Sequence, residues 1–276
     1  MRPWQSLLRG LRPANSQALH PASPSTSTYG APAIRLSQDV ARLPAWKRAL
    51  DLWCALIAIP VLLPILIFIA VIIKLGSMGP LLFKQERVGH RGNRFVLYKF
   101  RTMRPGVDTA VHEEHVARLI EDDAPMIKLD THGDARLIPF GRALRASGLD
   151  ELPQILNVLR GEMSFVGPRP CLPSEYEMYL DWQKQRFLTP PGLTGLWQVS
   201  GKNRTTFREM IDLDLQYVAR RSLWLDVKIM LRTIPCVMAE LSDVRSAAAT
   251  ARSSDATVLG AGERPAAGDI SLGGGA

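Results

Sequence analysis

Asp150 and Glu151 stand side by side in "SGLDELPQILNVLRGEMSFVGPRP", residues 147–170. Adjacent carboxylates admit two readings. In the first turn of a helix they complement the positive end of the dipole, an effect worth about 0.3–1 kcal/mol, and no chemistry follows. Among cations they can do more: a carboxylate attacks phosphorus when Mg²⁺ and basic side chains neutralise the phosphate, and a neighbouring acid can hold the metal. The surroundings favour the second reading. Arg136, Arg142 and Arg145 precede the pair, and the prolines of "GPRP" stiffen the loop that carries Arg169 behind it. Asp150 and Glu151 are therefore candidate catalytic and Mg²⁺-holding residues, with Arg136, Arg145 and Arg169 as candidate phosphate ligands.

The elements that must position these groups are written around them. Ile138, Ala143 and Leu144 predict a short helix closed by Gly148 in a left-handed cap. Ser147 with Asp150 three residues later fits a capping box, and Leu152, Ile155, Leu156 and Leu159 recur at helical spacing as one buried stripe. Upstream, "PLLFKQERVGHRGNRFVLYKFRTM" predicts two strands around the turn "GHRGN", the second near Arg94–Phe100. Alternation places Leu97, Lys99 and Arg101 on one face. Two cations at a strand end suit a polyanion, or equally a solvated strand end beside lipid.

Before that hairpin, every residue in the run from Leu52 to Ile73 is apolar. At about 1.5 Å per residue it reaches about 33 Å, enough for a hydrocarbon core about 30 Å thick. Pro60 and Pro64 each remove an amide donor, so a break is cheap there and the chain could dip in and return. Lys and Arg on both flanks, from Arg42, Lys47 and Arg48 to Lys74 and Lys84, favour the cytoplasmic side for both ends. A kinked spanning helix satisfies the same residues.

The rest of the chain narrows the class. Its 276 residues carry a formal charge of +8, which favours anionic partners. Cys54, Cys171 and Cys236 are too scattered for a disulfide framework or zinc site, and His112 with His115 has no second ligand pair. No helix-turn-helix, zinc or RNA-binding signature supports nucleic-acid binding. Downstream, "PPGLTGLWQVSGKNRTTF" forms a Pro/Gly loop with Lys202, and two helices split near Ser222 bring Asp212, Asp214 and Asp226. Trp182, Phe187, Trp197 and Trp224 fit either an interfacial belt or ordinary core. The organisation expected is a disordered tail over 1–45, a membrane helix over 46–75, a catalytic domain over 76–242 and a second disordered tail over 243–276.

Several stretches in order, "KRALD", "YKFRTM", "LRASGLDELPQILNVLRGEMSFVGPRP", "PGLTGLWQVSG", "DLDLQYV" and "SLWLDVKIM", resemble the bacterial sugar transferase family, the monotopic polyprenyl-phosphate phosphoglycosyl transferases, in their compact form. The resemblance implies a mostly helical α/β domain. It implies a re-entrant helix-break-helix at Pro60 and Pro64, a small β-hairpin and interfacial amphipathic helices. The activity implied is transfer of a sugar-1-phosphate from a UDP-sugar to undecaprenyl phosphate, with Mg²⁺ required and UMP released, on the cytoplasmic face of the bacterial inner membrane. It would initiate exopolysaccharide or another surface glycan. Asp150 would be the nucleophile and Glu151 its metal or proton partner. Lys99, Arg145, Arg169 and Lys202 would steady phosphates, with Arg101, Arg136, Asp214 and Asp226 as further substrate contacts. The loop "GLWQVSGKNRTTF" is more similar to hexose-1-phosphate transferases, implying glucose or galactose over an N-acetylated sugar. A non-catalytic membrane scaffold is the competing class, and it would tolerate loss of Asp150. Oligomeric state is not readable from these residues.

Overall fold

The structure, a computed structural model, describes residues 43–104, 114–115, 118–120, 122–125, 137–201, 205–239 and 242. Residues 1–42 and 243–276 of the two expected tails, with His112, Arg136 and Lys202, lie outside the described residues, and the helix begins at Ala45, the last residue of the first expected tail. The first element, α1 (Ala45–Gly76), takes up the whole apolar run. Pro60 and Pro64 both lie inside it, so the expected helix-break-helix does not show as an interruption of the helix. Each proline deletes one amide donor, and the turns on either side keep theirs.

Both ends of α1 dock on the same globular unit. Near its start Arg48 donates to the carbonyls of Val158 and Leu159, and Asp51 accepts from Ser164 Oγ and the Phe165 amide. Near its end Ile69 and Ile73 pack with Phe100, Ile138 and Leu144. Between them Leu56, Ile57, Val61, Leu63, Ile67 and Phe68 are exposed. By length and composition α1 is able to cross a bilayer.

The expected hairpin forms, with β1 (Leu82–Val88) antiparallel to β2 (Arg94–Phe100) and Phe83 opposite Lys99. Its turn needs a left-handed backbone, supplied by Arg91 at φ 56° and Gly92 at φ 79°. Phe95 and Leu97 pack on Val158 and Met163, while Phe100 leaves the alternation to join the cluster around Ile69.

Downstream, α2 (Gly141–Ser147) ends at Gly148, whose φ of 69° is the left-handed cap expected. The capping box does not form. Ser147 Oγ turns back to the Ala143 carbonyl at 2.8 Å and accepts from the Leu149 amide at 3.4 Å, not from the Asp150 amide a capping box would use. That element starts as a 3-10 turn (Leu149–Gln154) and becomes α3 (Ile155–Arg160). Pro153 has no N–H for the Leu149 carbonyl, so the α-type bond that would close this turn is missing. A 3-10 turn advances by three residues per turn, and this shifts the phase of the buried face. Ile155 and Val158 are buried, whereas Leu156 and Leu159 stay 41% and 37% exposed, against the expected stripe.

A second, two-stranded sheet pairs β3 (Ser164–Val166) in parallel with β4 (Gly192–Thr194). Between its strands come α4 (Pro173–Met178), α5 (Asp181–Lys184) and a 3-10 turn (Gln185–Leu188). After β4 follow α6 (Leu196–Val199), α7 (Phe207–Arg220) and a last helix over 223–239 that begins just past Ser222, as expected. A capping box at Thr206 and Glu209 starts α7. The main core joins Phe187, Trp197, Phe207, Met210, Ile211, Tyr217 and Ile229. Phe187 and Trp197 are therefore core, whereas Trp224 is 72% exposed beside Leu223. A mostly helical α/β unit with small sheets is what the sequence implied.

Candidate active site

Asp150 and Glu151 occupy the first residues of the 3-10 turn after Gly148. The left-handed glycine reverses the chain out of α2, and this places the dyad where β2 packs against the turn. Asp150 is 8% exposed; Glu151 is more open and accepts a 2.8 Å ion pair from Lys99 Nζ, on β2. Lys99 and the dyad are thus brought together as the sequence implied. Arg145, in the last turn of α2, sits five residues before Asp150.

Arg169 stands in the loop that follows β3, half-buried. Burial first, and then the like charge of Arg169, pull the Arg87 guanidinium down to about 10, with Glu175, Cys171 and Glu151 opposing. Arg87 is therefore within electrostatic reach of both Arg169 and Glu151. Arg87 was not foreseen as a site group, because in "KQERVG" it reads as one more exposed strand cation. The glycines of the two Pro/Gly loops set the position of Arg169. Gly167 N donates to Thr194 O and Gly192 N to Pro168 O, each at 2.9 Å, and a Cβ on Gly167 would collide with the Pro190 carbonyl.

Three expected substrate contacts belong to the framework. Arg101 is buried and donates to the carbonyls of Ser77 and Met78 just after α1, which fixes the helix exit and leaves no fork for a phosphate. Asp214 is paired with Arg186 at 2.5 Å inside the core, and burial pushes its carboxyl up to about 6. Asp226 is fully buried against Lys47 at 2.7 Å, with the Tyr217 hydroxyl on its other oxygen at 2.8 Å. Arg136 and Lys202 lie outside the described residues. Pro60 and Pro64 line a shallow apolar concavity of about 540 Å³ on α1, together with Leu63, Ile67, Phe68 and Val71.

As donors for a divalent cation the dyad offers two adjacent carboxylates, one of them paired with Lys99. Among the described residues no group of three or more His, Cys, Asp and Glu side chains could hold a metal. Mg²⁺ commonly takes one or two carboxylates and completes its shell with water and substrate phosphates, so an acidic pair fits it where a zinc site would not fit.

An apolar helix long enough to cross a membrane and a carboxylate pair with Lys99 beside it are consistent with a membrane-associated domain. The chain belongs to the bacterial sugar transferase family, whose sequence profile matches residues 42–240. It is 40% identical over 195 residues to the galactosyl transferase CpsE of Streptococcus agalactiae, covering 70% of this chain and 42% of that protein. It is 36% identical over 191 residues to the exopolysaccharide production protein ExoY of Sinorhizobium fredii, covering 69% and 84%. Over 233 residues it is 37% identical to the UDP-glucose:undecaprenyl-phosphate glucose-1-phosphate transferase of Caulobacter vibrioides, covering 79% and 80%. The chain spans less than half of the streptococcal relative and most of the other two.

Proposed function

We propose that the chain transfers a sugar-1-phosphate from a UDP-sugar to undecaprenyl phosphate, releasing UMP, and so initiates a surface glycan. The observation that carries this reading is the 2.8 Å pairing of Lys99 with Glu151 beside the nearly buried Asp150. The names of the relatives support the same reaction class, and glucose and galactose are the donors they point to.

In the proposed reaction the Asp150 carboxylate attacks the β-phosphorus of the donor. The bond between that phosphorus and the bridging oxygen breaks, UMP leaves with the oxygen, and a sugar phosphate remains on Asp150. A phosphate oxygen of the lipid then attacks the same phosphorus and expels the carboxylate. Lys99 and Arg169 hold the donor phosphates by charge-assisted hydrogen bonds, and Arg145 is assigned the same task. Glu151 and Asp150 would hold Mg²⁺, which when bound supplies charge neutralisation to the diphosphate.

In the same reading α1 enters the bilayer and returns, bending at Pro60 and Pro64, so that both basic flanks and the catalytic unit stay on the cytoplasmic face. The docking of both ends of α1 on one unit supports this topology. Reporters placed before Trp46 and after Lys74 that map to opposite membrane sides would contradict it.

The reaction is tested by giving purified protein undecaprenyl phosphate, Mg²⁺ and a panel of UDP-sugars, and quantifying UMP and UDP separately. UMP with one hexose donor is the expected result. UDP would mean ordinary glycosyl transfer, and neither product from folded protein would leave a scaffold.

A further inference from the structure

Beneath the Gly167-Pro168-Arg169-Pro170 loop lie four charged side chains for which the transfer chemistry has no direct use. Arg87, Glu175, Arg186 and Asp214 are each at most 5% exposed. Arg186 pairs with Asp214 and donates to the Arg169 carbonyl at 3.0 Å and the Tyr179 hydroxyl at 3.1 Å. Arg87 lies 3.9 Å from Glu175 and donates, at 3.5 Å, to the Pro170 carbonyl. The Val88 amide holds the Cys171 carbonyl at 2.9 Å, and Thr194 and Gly192 hold Gly167 N and Pro168 O. Each residue from Gly167 to Cys171 thus has a backbone atom held in place. What remains to reach outward is the half-buried side chain of Arg169.

Burying charges costs several kcal/mol per ion before their mutual attraction is counted, and apolar packing would stabilise the loop as well or better. An ionic lattice gives direction instead. A guanidinium held by a carboxylate on one side presents its remaining N–H groups along fixed lines. Here Asp214 on α7 holds Arg186, and Arg186 holds the carbonyl of Arg169 itself.

We propose that Arg186 and Asp214 are positioning residues for Arg169: they set the backbone of the loop so that its guanidinium meets the donor phosphate. The inference rests on the phosphosugar-transfer reading above. It predicts that Asp214 acts only through Arg169.

A double-mutant cycle on kcat/KM for the UDP-sugar tests this, using the full chain with its lipid acceptor and thermal melts run alongside. Asp214→Asn keeps the shape and removes the charge. The expected result is a fall of about tenfold in the otherwise native chain and less than about twofold in an Arg169→Ala background. Arg186→Lys, which keeps the charge but lacks the planar fork, carries the same cycle if Asp214→Asn fails to fold. Equal losses in both backgrounds would make the pair a scaffold for the core and overturn the inference. Absence of UMP from the native chain would instead remove the reading beneath it.

Discussion

Lys47 Nζ lies 2.7 Å from Asp226 Oδ2, and the pair joins residues 179 positions apart deep inside the protein. Lys47 also donates to the Val166 carbonyl at 2.8 Å. The start of α1, strand β3 and the last helix are thus tied at one point, just ahead of the loop that bears Arg169. Removing one member of a buried pair leaves the other charge without compensation. Lys47→Ala is expected to cost about 3–5 kcal/mol. Thermal melting in detergent should show a large fall, and Asp226→Asn, which leaves the Lys47 ammonium buried without its counter-charge, should lower it as well.

Lys99 and Glu151 behave in the opposite way, since both are partly open to solvent. Such a pair contributes about 0–1 kcal/mol to stability. Lys99→Met should therefore leave the melting temperature within a few degrees of native, while kcat/KM falls about 10- to 100-fold through loss of a phosphate contact. Lys99→Arg should restore part of it. Parallel losses of stability and activity would move Lys99 out of the site.

Two glycines separate backbone strain from close approach. Gly148 has open space around its missing Cβ, so Gly148→Ala meets only the left-handed φ, a cost of about 1–2 kcal/mol. Gly167→Ala meets the backbone of Pro190, Pro191 and Gly192. The expected outcome is a folded Gly148→Ala and a Gly167→Ala that fails to accumulate as folded protein. Similar yields and melting curves for both would contradict the interlocking of the two loops.

Asp214 gives a pH dependence with a defined sign. Burial raises its carboxyl to about 6 in the folded chain, opposed by Arg186 and then Arg169, against about 3.9 when unfolded. Between those values the native state binds the extra proton, so this group's contribution to stability is largest near pH 4 and is lost as pH rises through about 6. Urea unfolding of native chain and Asp214→Asn at both pH values measures the difference. The native chain should lose stability relative to the variant on going from pH 4 to above 6, and the reverse sign would contradict the raised carboxyl.

The parts legible in the sequence are those fixed by local chemistry. "GHRGN" between alternating strands, Gly148 after an apolar-periodic run, and Ser222 between two helical patterns each act within a few residues, and the structure places them as expected. Leu156 and Leu159 were misassigned because one proline changed the helical period ahead of them. The Arg87, Glu175, Arg186 and Asp214 lattice was illegible for a different reason. Each charge looks solvated by composition, and only chain segments tens of residues away bury it. Arg186 directly before Phe187-Leu188 was the available hint of a cation entering the core.

The most direct test of the account is the bond it assigns to Asp150. Purified native chain and Asp150→Asn would be incubated with a UDP-hexose and Mg²⁺, without lipid acceptor, and their intact masses and peptide maps compared. The account predicts a mass increase of one hexose phosphate on the peptide carrying Asp150 in the native chain, lost when undecaprenyl phosphate is added, and none in the variant. An unmodified native chain that still releases UMP once the lipid is present, or a variant that turns over at the native rate, would contradict it.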